Sequence, residues 1–248
     1  HQSHCLAISA DGSTVAGWVE FTSGPLMVPH QAFVSNPSVY FRMLGDLPGG
    51  DFRSEALALS ADGSVVVGWG TSAAGVEAFR WTDGDAFITS LGDLPGGAVH
   101  SRALATNADG SIVIGRATTV QGAEAFLWET ENGMRSLAGI LADVGALPPG
   151  WRLLEATGIS DDGARVVGWG LNPAGQTEAW LATLHYGCLA DLDGDGVTDQ
   201  SDLGVMLATY GLCPDQPGYV PAANLSTANP CIDQSDLAVL LEHFGCGL

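Results

Sequence analysis

The sequence predicts a mainly β protein: a β-propeller-like array of four-stranded repeats over residues 1–184, then a small α-helical module over 185–248. Three observations carry this. A unit of about 46 residues recurs four times, the period of propeller blades rather than of helical solenoids. Each recurrence alternates apolar and polar residues around glycine turns, which is the strand pattern. The twelve residues DLDGDGVTDQSD (191–202) then place five aspartates together, followed by apolar residues at helical spacing.

The repeat is read directly. LGDLPGG stands at 44–50 and again at 91–97. SEALALSADGSVVVGWG (54–70) aligns with SRALATNADGSIVIGRA (101–117), LEATGISDDGARVVGWG (154–170) and SHCLAISADGSTVAGWV (3–19). Downstream, VEAFRWTDG (76–84) matches AEAFLWETENG (123–133), TEAWLATL (177–184) and HQAFVS (30–35). The copies run at about 1–43, 44–90, 91–136 and 137–184. In each, ALALS-like residues form a first strand, and a DG turn, with Gly12, Gly63, Gly110 or Gly163 at positive φ, reverses the chain into a VVVGW-like second. EAFRW gives the third, ITSLGDL the fourth, and PGG breaks the pattern. A lone unit of this kind cannot bury its apolar faces, whereas stacked neighbours can. Copy one starts on its first strand and copy four stops after its third, so a closed ring needs either further repeats or irregular pairing of the ends.

With HQAF, VEAF and AEAF at the third strand, this pattern resembles the extracellular HAF repeats over residues 1–184. The resemblance implies a secreted, propeller-like array and brings no catalytic residues with it. Cys5 aligns with Ala56, Ala103 and Ala156, so a small buried side chain is expected there.

Charge narrows the partners. The chain carries 28 acidic against 8 basic residues, a formal −20, and every basic residue is arginine. Nucleic acid and anionic lipid both need a cationic footprint, so neither is an expected partner. No apolar run is long enough to span a membrane. The chain opens HQSHCLAISADG, without an initiator Met or an apolar leader, which reads as a processed or partial sequence. Four of the five cysteines, Cys188, Cys213, Cys231 and Cys246, lie in the C-terminal module, the pattern of disulfides in an oxidising, extracellular compartment.

No catalytic constellation emerges. The six histidines show no HExxH spacing, GxSxG is absent, and a phosphate loop has no lysine to use. Asp46 and Asp93 of LGDLPGG are expected to cap turns. Glu55, Glu77, Glu124 and Glu178 read as one set of repeated carboxylates, and repetition favours structure over a glycosidase pair. Trp18, Trp69, Trp81, Trp128, Trp169 and Trp180 likewise read as repeat-equivalent core residues, with a sugar-stacking face as the lesser alternative.

The aspartates are a different matter. Counted from Asp191 as position 1, carboxylates fall at 1, 3, 5, 9 and 12 (Asp191, Asp193, Asp195, Asp199, Asp202), with Gly196 at the sharp turn and the Val197 carbonyl at 7. That is the ligand schedule of an EF-hand calcium loop. A hard divalent cation taking six to eight oxygens at about 2.3–2.6 Å would neutralise their repulsion. Leu203, Met206, Leu207 and Tyr210 then mark a helix ending at Gly211.

DQSDLGVMLATYG (199–211) returns as DQSDLAVLLEHFG (233–245), and this duplicated loop-plus-helix resembles a type I dockerin over 188–246. The resemblance implies docking onto a cohesin-type domain through loop positions 10 and 11, Gln200 and Ser201 in the first copy and Gln234 and Ser235 in the second. The second loop departs from the pattern, because its positions 1, 3, 5 and 6 are Leu225, Thr227, Asn229 and Pro230. A slipped register offers only Asn224 and Ser226 beside Asp233 and Asp236, so one calcium is expected, and the second site lacks its ligands. Four cysteines allow three pairings. Cys213–Cys231 with Cys188–Cys246 is the favoured one, since Cys231 falls at position 7 of the weak loop, where a bridge could replace an ion.

The expected function is therefore that of a secreted, non-enzymatic binding or display protein, docked through calcium to a cohesin-type partner. A component of a polysaccharide-degrading system is the alternative, and a glycan at the rim of the array is a further expected ligand.

Overall fold

The computed structural model describes residues 2–21, 28–38, 40–143, 145–184, 190–193, 198–226 and 229–245. The chain divides into two compact units, His1–Leu184 and His185–Leu248.

The first unit is mainly β. Its fifteen described strands form four successive antiparallel sheets, each a meander in sequence order. The first sheet holds β1 (Gln2–Ile8), β2 (Val15–Phe21), β3 (Val28–Ser35) and β4 (Arg42–Gly45). The second holds β5 (Gly49–Leu59), β6 (Val65–Ser72), β7 (Val76–Thr82) and β8 (Thr89–Gly92). The third holds β9 (Arg102–Thr106), β10 (Ile112–Thr119), β11 (Gly122–Glu129) and β12 (Gly133–Ser136). The fourth has three strands, β13 (Arg152–Ile159), β14 (Arg165–Leu171) and β15 (Thr177–Thr183).

The repeated residues explain the repeated geometry. At each DG turn a serine or asparagine and the aspartate two residues on lock the reversal. Ser60 Oγ donates to Asp62 at 2.6 Å, Asp62 accepts the Ser64 N–H at 2.9 Å, and Ser60 Oγ accepts the Val65 N–H at 2.9 Å. Gly63 sits at φ 71° there, a conformation that a Cβ would strain. The turns also join one another: the N–H groups of Ala10, Ala61 and Ala108 donate to the carbonyls of Ala61, Ala108 and Asp161 at 2.8, 2.8 and 3.1 Å. In the second strand Gly68 and its equivalent Gly17 allow a close backbone approach, because a Cβ there would lie 1.8 Å from the carbonyl oxygen of Glu55 or His4.

Each sheet buries its apolar face on the next. Ala16, Ala32, Val34, Leu44 and Leu47 of the first copy close on Ala56, Val66, Phe79 and Trp81 of the second. Val65, Val67, Ala78, Leu91 and Leu94 then close on Ala103, Val113 and Phe126 of the third. Serines clasp these joints. Ser54 Oγ accepts the Ala32 N–H at 3.0 Å and donates to Gly45 O at 2.6 Å; Ser101 does the same for Ala78 and Gly92 at 2.9 and 2.7 Å.

Four expectations need correction. The copy bounds shift: the leucine and glycine of LGDLPGG finish the last strand of a sheet, β4 or β8, as the reading of ITSLGDL as a fourth strand has it, so the sheets part nearer residues 48 and 96 than 43 and 90. The third copy inserts a short helix, α1 (Leu137–Asp143), which buries Leu137 and Leu141, ahead of a variant of that motif, VGALPPG (144–150), whose Gly145 has a positive φ as Gly45 and Gly92 do. Asp46 does more than cap a turn. It accepts N–H bonds from Arg53 at 2.9 Å and Thr71 at 3.0 Å, tying the end of one sheet to the next. Finally, Cys5 is exposed, whereas Ala56, Ala103 and Ala156 are 0% exposed, each covered by the described sheet before its own.

The second unit contains α2 (Gln200–Thr209), a single 3-10 turn at Pro221–Ala223, and α3 (Gln234–Glu242). Ala190, Met206, Ala223, Ile232 and Leu240 form its core. Cys213 and Cys231 are joined by a disulfide, their Cα atoms 4.2 Å apart.

Candidate metal and docking site

The site is built on two helix N-termini of one design. Asp199 caps α2 and accepts the Ser201 N–H at 2.7 Å, while Asp202, three residues on, accepts the Asp199 N–H at 2.7 Å. Asp233 and Asp236 cap α3 identically, at 2.7 and 2.8 Å. This reciprocal box satisfies N–H groups that helix ends otherwise leave unpaired. Both inner aspartates are fully buried and reach back ten residues: Asp202 accepts from Leu192 at 2.6 Å, and Asp236 from Ser226 at 2.7 Å. Burial alone would raise the Asp202 pKa, but the N–H groups of Asp199, Leu192 and Asp193 outweigh it and hold the carboxyl below its usual range.

The two halves also exchange bonds. Gly211, ending α2, donates to Ile232 O of the second loop at 2.7 Å; Gly245, ending α3, donates to Thr198 O of the first at 2.8 Å. The duplication in sequence is thus a two-fold arrangement in space.

The loops differ in what they enclose. In the first, one carboxylate oxygen each from Asp191, Asp193 and Asp202 lies within 4.8 Å of the others. Three hard anionic oxygens at this spacing suit calcium better than a soft-ligand metal. Asp199 is outside this group, and one of its oxygens accepts the Ser201 N–H at the helix cap. Asp195 and Val197 lie outside the described residues. In the second loop the polar groups satisfy one another. Asn229 donates to Asp233 at 2.7 Å, Ser235 Oγ donates to Asp233 at 2.6 Å and meets Ser226 Oγ at 2.8 Å, and Asn224 donates to Asn229 O at 3.2 Å. With the neighbouring disulfide, hydrogen bonds and a covalent link hold what charge would otherwise disperse. Thr227 lies outside the described residues, as do Cys188 and Cys246.

Gln200, Ser201 and Gln234 are exposed on the first helical turns. Ser235 is half-buried and engaged, so the two faces are not interchangeable at that position. The helices add a feature that spacing alone did not reveal. Met206 and Leu240 point into the core, but Leu207 on α2 and Tyr210 just after it, and Leu241 and Phe244 at the same positions on and after α3, are exposed. A duplicated exposed apolar pair is legible once the 34-residue offset is applied to residues beyond the loops.

A second cluster lies in the first unit. One ladder rung recurs in all four sheets: His4 opposite Trp18, Glu55 opposite Trp69, Arg102 opposite Arg116, and Glu155 opposite Trp169. Successive rungs interlock. Trp18 stacks on His4 at 4.3 Å and His30 at 3.9 Å, His30 pairs with Glu55, and Arg102 lies 4.6 Å over Trp69. Trp69 Nε1 donates to Glu55 at 2.9 Å, and Arg116 meets Glu155 at 3.3 Å. Burial, then the neighbouring Arg116, push the Arg102 pKa down. Two groupings read from the sequence are therefore revised. Glu55 belongs with Glu155 on the first strand, not with Glu77, Glu124 and Glu178 on the third. Trp18, Trp69 and Trp169 share the second strand; Trp81 and Trp128 are on the third, where Trp180 takes the place of Phe79 and Phe126.

No known family matches the sequence, and no curated protein is significantly similar to it. Among solved structures it is similar to a protein described as a TolB from Agrobacterium tumefaciens (TM-score 0.48, 12% identity, 71% of this chain and 60% of that one). It is also similar to the TolB of Acinetobacter baumannii (0.41, 12%, 71% and 42%). A third is a protein described as a dipeptidyl aminopeptidase IV from Bacteroides ovatus (0.39, 11%, 78% and 32%). The chain spans less than two thirds of each of these structures, and at such TM-scores nothing about its activity follows from them. No helix among the described residues is long and apolar enough to cross a membrane.

Proposed function

We propose that this is a secreted, non-enzymatic binding protein, in which a propeller-like array is held on a cohesin-type partner by a calcium-ordered, dockerin-like module. The observation that carries the reading is the convergence of Asp191, Asp193 and Asp202 within 4.8 Å at the first turn of a capped helix that carries exposed Gln200 and Leu207 and is followed by exposed Tyr210. Calcium would be held by these three carboxylates, with Asp195, Val197 and Asp199 completing the schedule read from the sequence. Its part is to neutralise like charges and fix the helix start, and the chain's own residues form the docking face. The second loop takes no ion in this reading, since its polar groups are already paired. The Cys213–Cys231 bridge and the cysteine-rich tail support an extracellular setting.

Surface plasmon resonance of the whole chain over a panel of type I cohesin domains tests the reading. Binding in calcium, lost in chelator and weakened at least tenfold by Leu207→Asp, is expected. Binding indifferent to chelator contradicts it.

A second reading has one observation in its favour. Arg53 and Arg102 both lie over Trp69, at 5.6 and 4.6 Å, on an otherwise acidic chain. Trp69 itself is only 4% exposed, so the two guanidinium groups would make the contact with an acidic glycan, and a glycan array separates this from docking.

A further inference from the structure

The second and third sheets carry the same pocket. One, of about 490 Å³, is lined by β7, β8, the β6–β7 turn and the loop after β4; the other, of about 480 Å³, by β11, β12, the β10–β11 turn and the loop after β8. Each has nine lining positions, and every one has its repeat equivalent in the other. Leu47 and Pro48 correspond to Leu94 and Pro95 in LGDLPGG, and Glu77 corresponds to Glu124 in VEAF and AEAF. Ladder pairing sets the rest: Ser90 lies opposite Phe79 and Ser136 opposite Phe126, so Ile88 corresponds to Met134. Both volumes fall in the range of small-ligand sites.

Each pocket sets one carboxylate without a counter-charge among apolar side chains. Ser72 and Ser90 donate to Glu77, and Ser136 donates to Glu124. These neutral donors fix the carboxylates and leave their charge in place. Among the described residues no arginine or histidine pairs with either one, and Arg135, beside Glu124, is engaged with Glu129 at 2.6 Å. Both glutamates are half-buried, where an unpaired charge costs more than in water. Its influence reaches Asp93, whose pKa is raised by burial and further by the charge of Glu77. Residues 185–248 hold neither lysine nor arginine, so the second unit cannot supply a permanent cation.

We propose that each pocket takes a lysine side chain of a partner protein, its aliphatic stem against the apolar wall and its ammonium on Glu77 or Glu124. Such a side chain matches the lining part by part, since it joins an apolar body to a compact charge. Lysine suits the site better than arginine. Ser72 and Ser90 each take one site on a different oxygen of Glu77, which disturbs the paired contact that a guanidinium fork prefers and leaves room for a point charge. The formal charge of −20 draws a basic partner toward the chain.

Methyl NMR of the whole chain reads each pocket separately, through the Ile88 Cδ1 and Met134 Cε methyls. Titration with Nα-acetyl-lysine methylamide is expected to shift both saturably. The norleucine analogue, which keeps the stem but lacks the ammonium, is expected to shift neither. Glu77→Gln should remove the Ile88 response and leave that of Met134, and Glu124→Gln should do the reverse, so the untouched pocket in each variant reports that the chain is folded. Absence of a shift at either methyl in the unaltered chain overturns the proposal. So does an equal response to the norleucine analogue, or an Ile88 response that survives Glu77→Gln. Neither pocket contains a calcium ligand, so the calcium reading is untouched by any of these results.

Discussion

Asp202 holds the backbone N–H of Leu192 on its carboxylate at 2.6 Å, from ten residues further along the chain. The same oxygen accepts from Asp193 at 3.2 Å, and the other accepts from Asp199 at 2.7 Å. One buried side chain therefore closes the loop, caps the helix and supplies one of the three converging carboxylates.

Asp202→Ala is accordingly expected to cost the second unit about 2–4 kcal/mol, since it strands buried donors and removes half of a capping box. Hydrogen exchange followed by mass spectrometry should show protection lost across residues 198–211, with the strands of the first unit unaffected.

Cys213→Ser opens a loop whose ends are 18 residues apart, and loop-closure entropy puts the loss at about 3 kcal/mol. The second loop has hydrogen bonds but no expected ion to compensate. Urea unfolding followed by helical circular dichroism should show an earlier transition for α3 that added calcium does not restore.

Ser54→Ala leaves the Ala32 N–H and Gly45 carbonyl without their clasp at a buried joint. A loss of about 1–3 kcal/mol in the first unit follows. The same change at exposed Ser3 should cost less than about 0.5 kcal/mol, on the order of an ordinary surface substitution. Differential scanning calorimetry of the two variants makes the comparison.

The turn aspartates set an acid limit. Hydrogen bonds from Ser9 and Ser13 lower Asp11 to about 2, and serine donors lower Asp62, Asp109 and Asp162 as well. A depressed carboxyl pKa contributes stability above the unfolded value of 3.8 and loses it as pH falls through the folded one. Asp46 and Asp93 act oppositely, because burial raises them and protonation relieves that cost. Replacing the four turn aspartates by Asn should flatten the fall in melting temperature below about pH 4.

The strand pattern was legible because each DG turn carries its own instructions. Serine, aspartate and glycine at fixed spacing lock the reversal with local bonds, whatever packs above them. The helix α1 was less so, since seven residues with two buried leucines give little period to read. The exposure of Cys5 and the Glu–Trp–Arg rung depend on what lies across a joint between sheets, and alignment by type within one copy does not show that. Around the metal loop, spacing named the carboxylates but not their division of labour. Asp199 is drawn to the helix cap because its position immediately before Gln200 makes that bond the nearest one available.

Isothermal titration of calcium into the whole chain, beside Asp193→Ala, tests the central claim most directly. One ion bound per chain, lost in the variant while Asp236→Asn keeps it, is the predicted result. No calcium heat in the unaltered chain, or a full signal in Asp193→Ala, would contradict it.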